Sequence, residues 1–347
     1  MRLRLRLAGL VLLLVLTACA SAGTEPIAGR PAHHVQGGFR NPDPGFTRPS
    51  GWTRWAFILR RTAQSIGSPR AYDAPREAND GSKLRAQPPS ATITWVGHAT
   101  LLVQLDGLNI LTDPQWSDRA GPTSWLGAKR LSPPGLAFES LPRIDVVVVS
   151  HDHYDHLDLP TVKRLAATHD PLFLVPLGMK EWFADNGMTR VEERDWWQEH
   201  EYRGVRFVCV PAQHFSQRSL WDGSRRLWAS WAILGRERRL YFSGDTGYFA
   251  GFKEAGRRLG PFDVAALPIG AYLPPEIMKQ VHVNPEEAVQ AFLDLNARVM
   301  VGMHWGTFDL AEEPLGEPPA RMLRDFDRRG LEPSRAWVLR IGETRAW

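Results

Sequence analysis

The sequence predicts an α/β layered fold. Two observations carry that expectation. From about residue 91, apolar runs of strand length alternate with stretches of helical length. Several of the apolar runs end in a small residue or turn and then a histidine or aspartate, as where a site sits at strand ends. The 347 residues suffice for one large domain or two smaller ones, and a 43% hydrophobic content is that of an ordinary globular core.

Strands are expected at 91–96 and 100–105, then at 108–111 after the Asp106-Gly107 turn. Further strands fall at 145–149, 172–175, 205–210, 228–234, 239–242, 264–267, 298–303 and 336–341. Helices are expected at about 161–167, 178–186, 251–259, 286–295 and 319–329. The fourth helix has the clearest start. Asn284 suits the N-cap, Pro285 the first helical position, and Glu287 the third position of a capping box.

The chain ahead of this domain divides into three parts. Residues 1–18 carry Arg2, Arg4 and Arg6 before an apolar core at 7–16. That core is shorter than the roughly 20 residues a bilayer needs, and it reads as a secretory signal. Leu16-Thr17-Ala18-Cys19 resembles a bacterial lipobox, which implies cleavage before Cys19 and a lipid on it. Residues 19–50, rich in Gly, Pro, Ala and Ser, are expected to be the lipidated cysteine and a tether, with packing on the domain open near its end. Residues 51–90 are expected to pack on the domain, through a helix whose Trp52, Trp55 and Leu59 recur at helical spacing. The same stripe, with Arg54, Arg60 and Arg61 nearby, also fits a membrane-surface helix. The implied place is the cell envelope, lipid-anchored at the outer membrane and facing the periplasm.

Removing the leader's three arginines takes the formal charge from +4 to +1. The body therefore has no basic footprint for nucleic acid. The two cysteines are Cys19 and Cys209, so lipidation of the first leaves no intramolecular disulfide. Cys209 sits in an apolar strand pattern and is expected to be a buried packing thiol.

The stretch SHDHYDHLD, residues 150–158, follows four consecutive valines. Imidazoles and carboxylates at the end of a buried strand need partners or a metal to offset desolvation. His151 and His153 have i, i+2 spacing, while Asp155 and His156 are adjacent, which suggests two ions side by side. Three later apolar runs end in His214, Asp245 and His304. Zinc suits this His/Asp set, and iron or manganese fits it too.

These residues resemble the metallo-β-lactamase-fold hydrolases, through SHDHYDH at 150–156, His214, FSGDTG at 242–247 and MHWG at 303–306. The resemblance implies a four-layer αββα sandwich. It implies one ion on His151, His153 and His214, a second on Asp155, His156 and His304, and Asp245 bridging them. Two such ions would hold a hydroxide as nucleophile at neutral pH. Asp113 fits two roles, orienting a metal-bound histidine or capping the turn after the hairpin.

Longer segments resemble the N-acylphosphatidylethanolamine-hydrolysing phospholipase D family. They include WVGHAT (95–100), LTDP (111–114), RDWWQE (194–199), PAQHFSQRSLWD (211–222), GPFDVAALPIGAY (260–272) and HVNPEEAV (282–289). The resemblance implies a membrane phospholipid substrate, cleaved to an N-acylethanolamine and phosphatidic acid. It implies Tyr154 and His282 as substrate contacts, with His282 also polarising a phosphoryl oxygen or protonating the leaving group. Leu273-Pro274-Pro275 and Asp118 depart from the family pattern, where an acidic residue, proline and arginine, and a small hydroxyl residue, are expected. Trp116, Trp125 and Trp221 fit either an acyl-binding rim or the core. His98 is expected to be structural, and His33, His34, His169 and His200 to lie in loops without partners. Hydrolysis of a lactone or another phosphate ester, and a non-enzymatic envelope scaffold, stand as the alternatives. A homodimer stays open.

Overall fold

The computed structural model describes residues 25–67 and 70–347, so the leader and Cys19 lie outside the described residues. Among the described residues, two seven-stranded sheets form the centre of the molecule. The first has the order β10 (Val191–Arg194), β9 (Leu172–Pro176), β8 (Val146–Val148), β5 (Leu108–Thr112), β4 (Thr100–Leu105), β3 (Thr92–Gly97) and β18 (Thr344–Ala346). The second has the order β11 (Glu199–Tyr202), β12 (Val205–Val210), β13 (Ser230–Leu234), β14 (Arg239–Phe242), β15 (Phe262–Pro268), β16 (Ala297–Met303) and β17 (Ala336–Trp337). Two small pairs lie outside them, β1 (His34–Val35) with β2 (Gly38–Phe39), and β6 (Arg119–Thr123) with β7 (Leu126–Lys129).

Each sheet has an antiparallel half and a parallel half. In the first, β3, β4 and β5 are antiparallel neighbours, and β5, β8, β9 and β10 run parallel. In the second, β11 to β14 are antiparallel, and β14 to β17 run parallel. Parallel strands covered on both faces read as unbroken apolar runs. The valine run shows why. Val146 and Val148 join the core between the sheets, while Val147 and Val149 pack with Val162 and Leu165 of the helix Leu159–His169. The helices Pro285–Asp294 and Glu317–Arg328 pack together on the second sheet. The result is a four-layer αββα sandwich.

Local chemistry places the elements. The Asn284 side chain accepts from Glu287 N at 2.8 Å while Glu287 accepts from Asn284 N at 3.1 Å, so the capping box forms. Trp231, on the second sheet, donates its indole N–H to the Val149 carbonyl of the first at 2.8 Å. A buried aromatic of this size contributes about 1.5–3 kcal/mol through its apolar area, and this bond fixes the two sheets beside residue 150.

Two expectations change here. The Trp52, Trp55 and Leu59 stripe was expected to face the domain, but these side chains are 78%, 38% and 63% exposed. The helix Gly51–Gly67 is held by its other side. Phe57 packs by Ala271, Met278 and Ala311, and Arg60 and Arg61 pair with Glu312 and Asp309. Charge complementarity, invisible in a hydrophobic pattern, chose the docked face. The tether expected to run to residue 50 also gives way earlier. His34 and Asn41 are buried, and both bond to the body. Among the described residues no helix is long and apolar enough to cross a membrane.

Candidate metal centre

Strand ends from both sheets meet at one edge of the sandwich. β3 leads to His98, β5 to Asp113, and β8 to the run from Ser150 to His156. From the second sheet, β12 leads to His214, β14 to Asp245 and β16 to His304. The backbone bends sharply at several of these ends. His98 has φ of 52° and His304 of 61°, the left-handed region that side chains seldom occupy. At Gly244 a Cβ would meet the Ser150 Cβ at 2.3 Å, so only glycine lets β14 deliver Asp245 this close to the first sheet.

The ligand-type atoms form two adjacent groups. His151, His153, His214 and Asp245 each offer one atom within 4.8 Å of the others, and so do His98, Asp155, His156 and His304. Asp245 reaches both. Its Oδ2 lies 3.9 Å from His151 Nε2 and 3.8 Å from His214 Nε2. The same oxygen lies 3.1 Å from His156 Nε2, and Oδ1 lies 3.1 Å from His304 Nε2. Thus the structure brings together all seven residues expected as metal ligands.

Surrounding groups fix the rings. Asp113 Oδ2 lies 2.7 Å from His156 Nδ1, and its Oδ1 accepts from Ser150 N at 2.7 Å. His214 Nδ1 donates to the Val281 carbonyl at 2.9 Å, which leaves Nε2 facing the site. His214 N donates to Asn41 Oδ1 at 2.9 Å, and Asn41 Nδ2 donates to the His214 carbonyl at 2.8 Å. His98 Nε2 lies 2.9 Å from Asp155 Oδ2, so the histidine expected to be merely structural sits on a site carboxylate. His33 and His34, expected to lack partners, hold the two oxygens of Asp195 at 2.6 and 2.7 Å. His169 Nδ1 accepts from Ile144 N at 3.2 Å, and His200 Nδ1 lies 2.6 Å from Arg194. The pairings of His33, His34 and His98 join residues far apart in the chain, which local spacing could not reveal.

His282 is half-buried beside the same carboxylate, with Nδ1 3.9 Å from Asp245 Oδ2 and without a hydrogen-bond partner. Tyr154 is half-buried; its hydroxyl donates to the Arg218 carbonyl at 2.7 Å, and the Arg218 guanidinium lies 4.2 Å from its ring centre. Trp116 is tied inward, its indole N–H donating to Leu136 O at 3.0 Å, whereas Trp125 and Trp221 are 73% and 49% exposed. Asp118 is exposed.

The electrostatics of the cluster fit a divalent cation. Burial draws His153 and His282 down to about 4 and His98 to about 3. Burial and crowding by neighbouring imidazoles hold His151 and His214 well below the usual range. A neutral imidazole is the form that binds metal. Burial opposes charge on His304 as well, yet Asp245 and Asp155 push it up to about 9. His156 is raised in the same way by Asp245 and Asp155. The carboxylates therefore demand positive charge at their centre. Among the described residues, buried Asp245 Oδ1, His98 Nδ1 and His304 Nδ1 also lack hydrogen-bond partners. A donor set of imidazole and carboxylate groups meets the preferences of zinc, iron and manganese.

The model of the Beta-lactamase superfamily domain matches residues 108–305. The chain is similar to an uncharacterised protein of Mycobacterium tuberculosis, 41% identical over 314 residues, covering 87% of this chain and 82% of that one. It is similar to N-acyl-phosphatidylethanolamine-hydrolyzing phospholipase D 1 of Caenorhabditis elegans, 47% identical over 244 residues, covering 67% of this chain and 68% of the relative. In fold it is similar to the isothiocyanate hydrolase from Delia radicum gut bacteria, with a TM-score of 0.60 at 18% identity, covering 74% and 99% of the two chains. The chain belongs to the β-lactamase superfamily as a metal-dependent hydrolase of the metallo-β-lactamase fold, and the nematode phospholipase D is among its homologues.

Proposed function

We propose that this protein is a dinuclear phosphodiesterase of the phospholipase D type, cleaving N-acylphosphatidylethanolamine to an N-acylethanolamine and phosphatidic acid. One observation carries the reading. A single carboxylate, Asp245, faces imidazoles of two adjacent ligand groups, as a bridge between two ions would. The 47% identity to the nematode enzyme supports the substrate class.

In this reading His151, His153 and His214 hold one ion, Asp155, His156 and His304 the other, and Asp245 both. Zinc is the proposed metal. Paired divalent ions supply an activated water and neutralise developing charge on phosphoryl oxygens. The chain's own groups do the rest. Asp113 keeps the proton of His156 on Nδ1 and leaves Nε2 free to bind. Val281 O does the same for His214. His98 restrains Asp155. His282, neutral at pH 7 by virtue of its burial, borders the site and is placed to hold a proton near the leaving alkoxide or polarise a phosphoryl oxygen. The Tyr154 ring, packed by Arg218, forms part of the substrate wall.

The proposal extends to the envelope. The leader is removed, Cys19 carries the lipid, residues beyond it tether the domain on the periplasmic face of the outer membrane, and residues 91–347 form the hydrolase domain. Exposed Trp52, Trp125 and Trp221 suit a protein working beside lipid.

The test is direct. Metal-replete protein is incubated with N-acylphosphatidylethanolamine in mixed micelles, and products are identified by mass spectrometry beside a His156→Ala variant. N-acylethanolamine and phosphatidic acid, both lost in the variant, are the expected result. A metal-replete protein that releases neither would sink the reading. For the anchor, Cys19→Ser should move the protein from the membrane to the soluble fraction; unchanged partition would refute the lipid.

A further inference from the structure

One cation beside the metal centre lacks a counter-charge. The Arg48 guanidinium lies 4.3 Å from the ring centre of Phe215. Phe215 in turn lies 4.5 Å from the His153 ring and 4.9 Å from the His214 ring. A single aromatic ring therefore separates Arg48 from two of the metal-binding imidazoles. Among the described residues its one hydrogen bond is to a neutral group, the Ser224 hydroxyl, at 3.1 Å. Among the described residues, no carboxylate pairs with it.

Its neighbour makes the imbalance greater. Burial and the nearby charge of Arg54 bring Arg48 down to about 10, so it stays cationic at neutral pH. Among the described residues, the buried Nε of Arg54 has no hydrogen-bond partner. Elsewhere on this segment the arginines are paired, as Arg60 is with Glu312 and Arg61 with Asp309. Two half-buried cations without an anion are costly to fold. Such a cost is offset when a ligand brings the missing charge, and guanidinium groups suit phosphate oxygens.

We propose that Arg48 and Arg54 form an anion-selecting flank of the metal centre, favouring phosphodiesters that carry net negative charge over zwitterionic ones. The proposal rests on the phosphodiesterase reading above and adds a basis for specificity. In phosphatidylethanolamine or phosphatidylcholine the headgroup ammonium neutralises the phosphate. N-acylation turns that ammonium into an amide, and the diester becomes a net anion. Two unpaired cations distinguish these molecules without contacting the acyl chain.

The experiment uses neutral-detergent micelles and metal-loaded protein with its metal content measured. kcat/KM is compared for N-acylphosphatidylethanolamine and phosphatidylcholine in the wild type, Arg48→Gln, Arg48→Lys and Arg54→Gln. Arg48→Gln should lower the preference for the anionic lipid about tenfold, mainly through KM, a typical worth for one charge-assisted contact. Arg54→Gln should lower it less, and Arg48→Lys should retain most of it. A preference unchanged in Arg48→Gln, or lost equally in Arg48→Lys, would overturn the proposal, since a packing role on Phe215 predicts no dependence on charge. The soluble anion bis(p-nitrophenyl) phosphate separates this idea from the lipid reading. If neither lipid reacts but Arg48→Gln raises KM for the soluble diester about tenfold, the lipid assignment fails and the flank stands. Should no diester react, calorimetric titration of inorganic phosphate decides: a Kd about tenfold weaker in Arg48→Gln supports the flank, and an equal Kd refutes it.

Discussion

Asp113 Oδ2 lies 2.7 Å from His156 Nδ1, and neither side chain touches solvent. The same carboxylate also holds Ser150 N and the Ser150 hydroxyl, so it sets the start of the 150–156 loop as well as one ring. Asp113→Asn should weaken metal affinity by about 10–100-fold, the usual worth of such an orienting partner. Competition with a chelator measures it. An affinity unchanged from wild type would show that His156 is held by packing alone.

Asp245 faces imidazoles of both groups. If the centre is dinuclear as proposed, Asp245→Asn should reduce bound metal from about two ions per chain to one or fewer. Removal of metal from the wild type should lower Tm, and zinc should restore it, because ligands that bind only the folded state add stability. Elemental analysis and calorimetry provide the readings. A Tm indifferent to chelation would argue against a cation at the centre of these carboxylates.

Asn41 is clamped to the backbone of His214 by bonds of 2.8 and 2.9 Å, and it also accepts from Trp228 Nε1 at 3.2 Å. Asn41→Ala strands buried groups on a site loop. The expected loss is about 2–3 kcal/mol of unfolding free energy, with weaker metal binding by the His151, His153 and His214 group. Denaturant unfolding and metal competition test the two effects separately. A loss of stability with intact metal affinity would confine Asn41 to anchoring the segment.

Asp195 binds His33 and His34 together. Burial works to raise its pKa, but the two imidazole bonds hold it below the usual carboxylate range. A depressed folded-state pKa contributes stability that is present above the unfolded value, about 3.9. That contribution is lost as pH falls through the lower folded value. Asp195→Asn should cost about 2 kcal/mol near neutral pH, and its difference from wild type should shrink only below about pH 4. A difference that already vanishes near pH 6 would refute a stabilising role for the Asp195 carboxylate.

The sequence revealed what repeats locally. Apolar runs that end in His151, His214, Asp245 and His304 carry their message within ten residues, and the capping box at Asn284 within four. What it hid lies in pairings across the chain. His98 meets Asp155 across 57 positions, and Asn41 meets His214 across 173. Neither has a local signature, because each is placed by strand order. The edge strands were hidden for another reason. Val191–Arg194 (VEER) and Glu199–Tyr202 (EHEY) are rich in charge and show little apolar alternation. Edge strands keep such residues because their outer side meets water rather than another strand. The stripe on Gly51–Gly67 misled because apolar spacing says which residues share a face, not which way the face turns.

The division of the proposed ligands between two sheets has a consequence for how the centre could fill. Neither sheet owns a complete set: His151, His153, Asp155 and His156 follow β8, while His214, Asp245 and His304 follow β12, β14 and β16. A nascent chain that has reached only β10 carries His151, His153, Asp155 and His156 but none of the three residues that follow β12, β14 and β16. In the proposed centre, both ions would therefore bind only once the two sheets have docked.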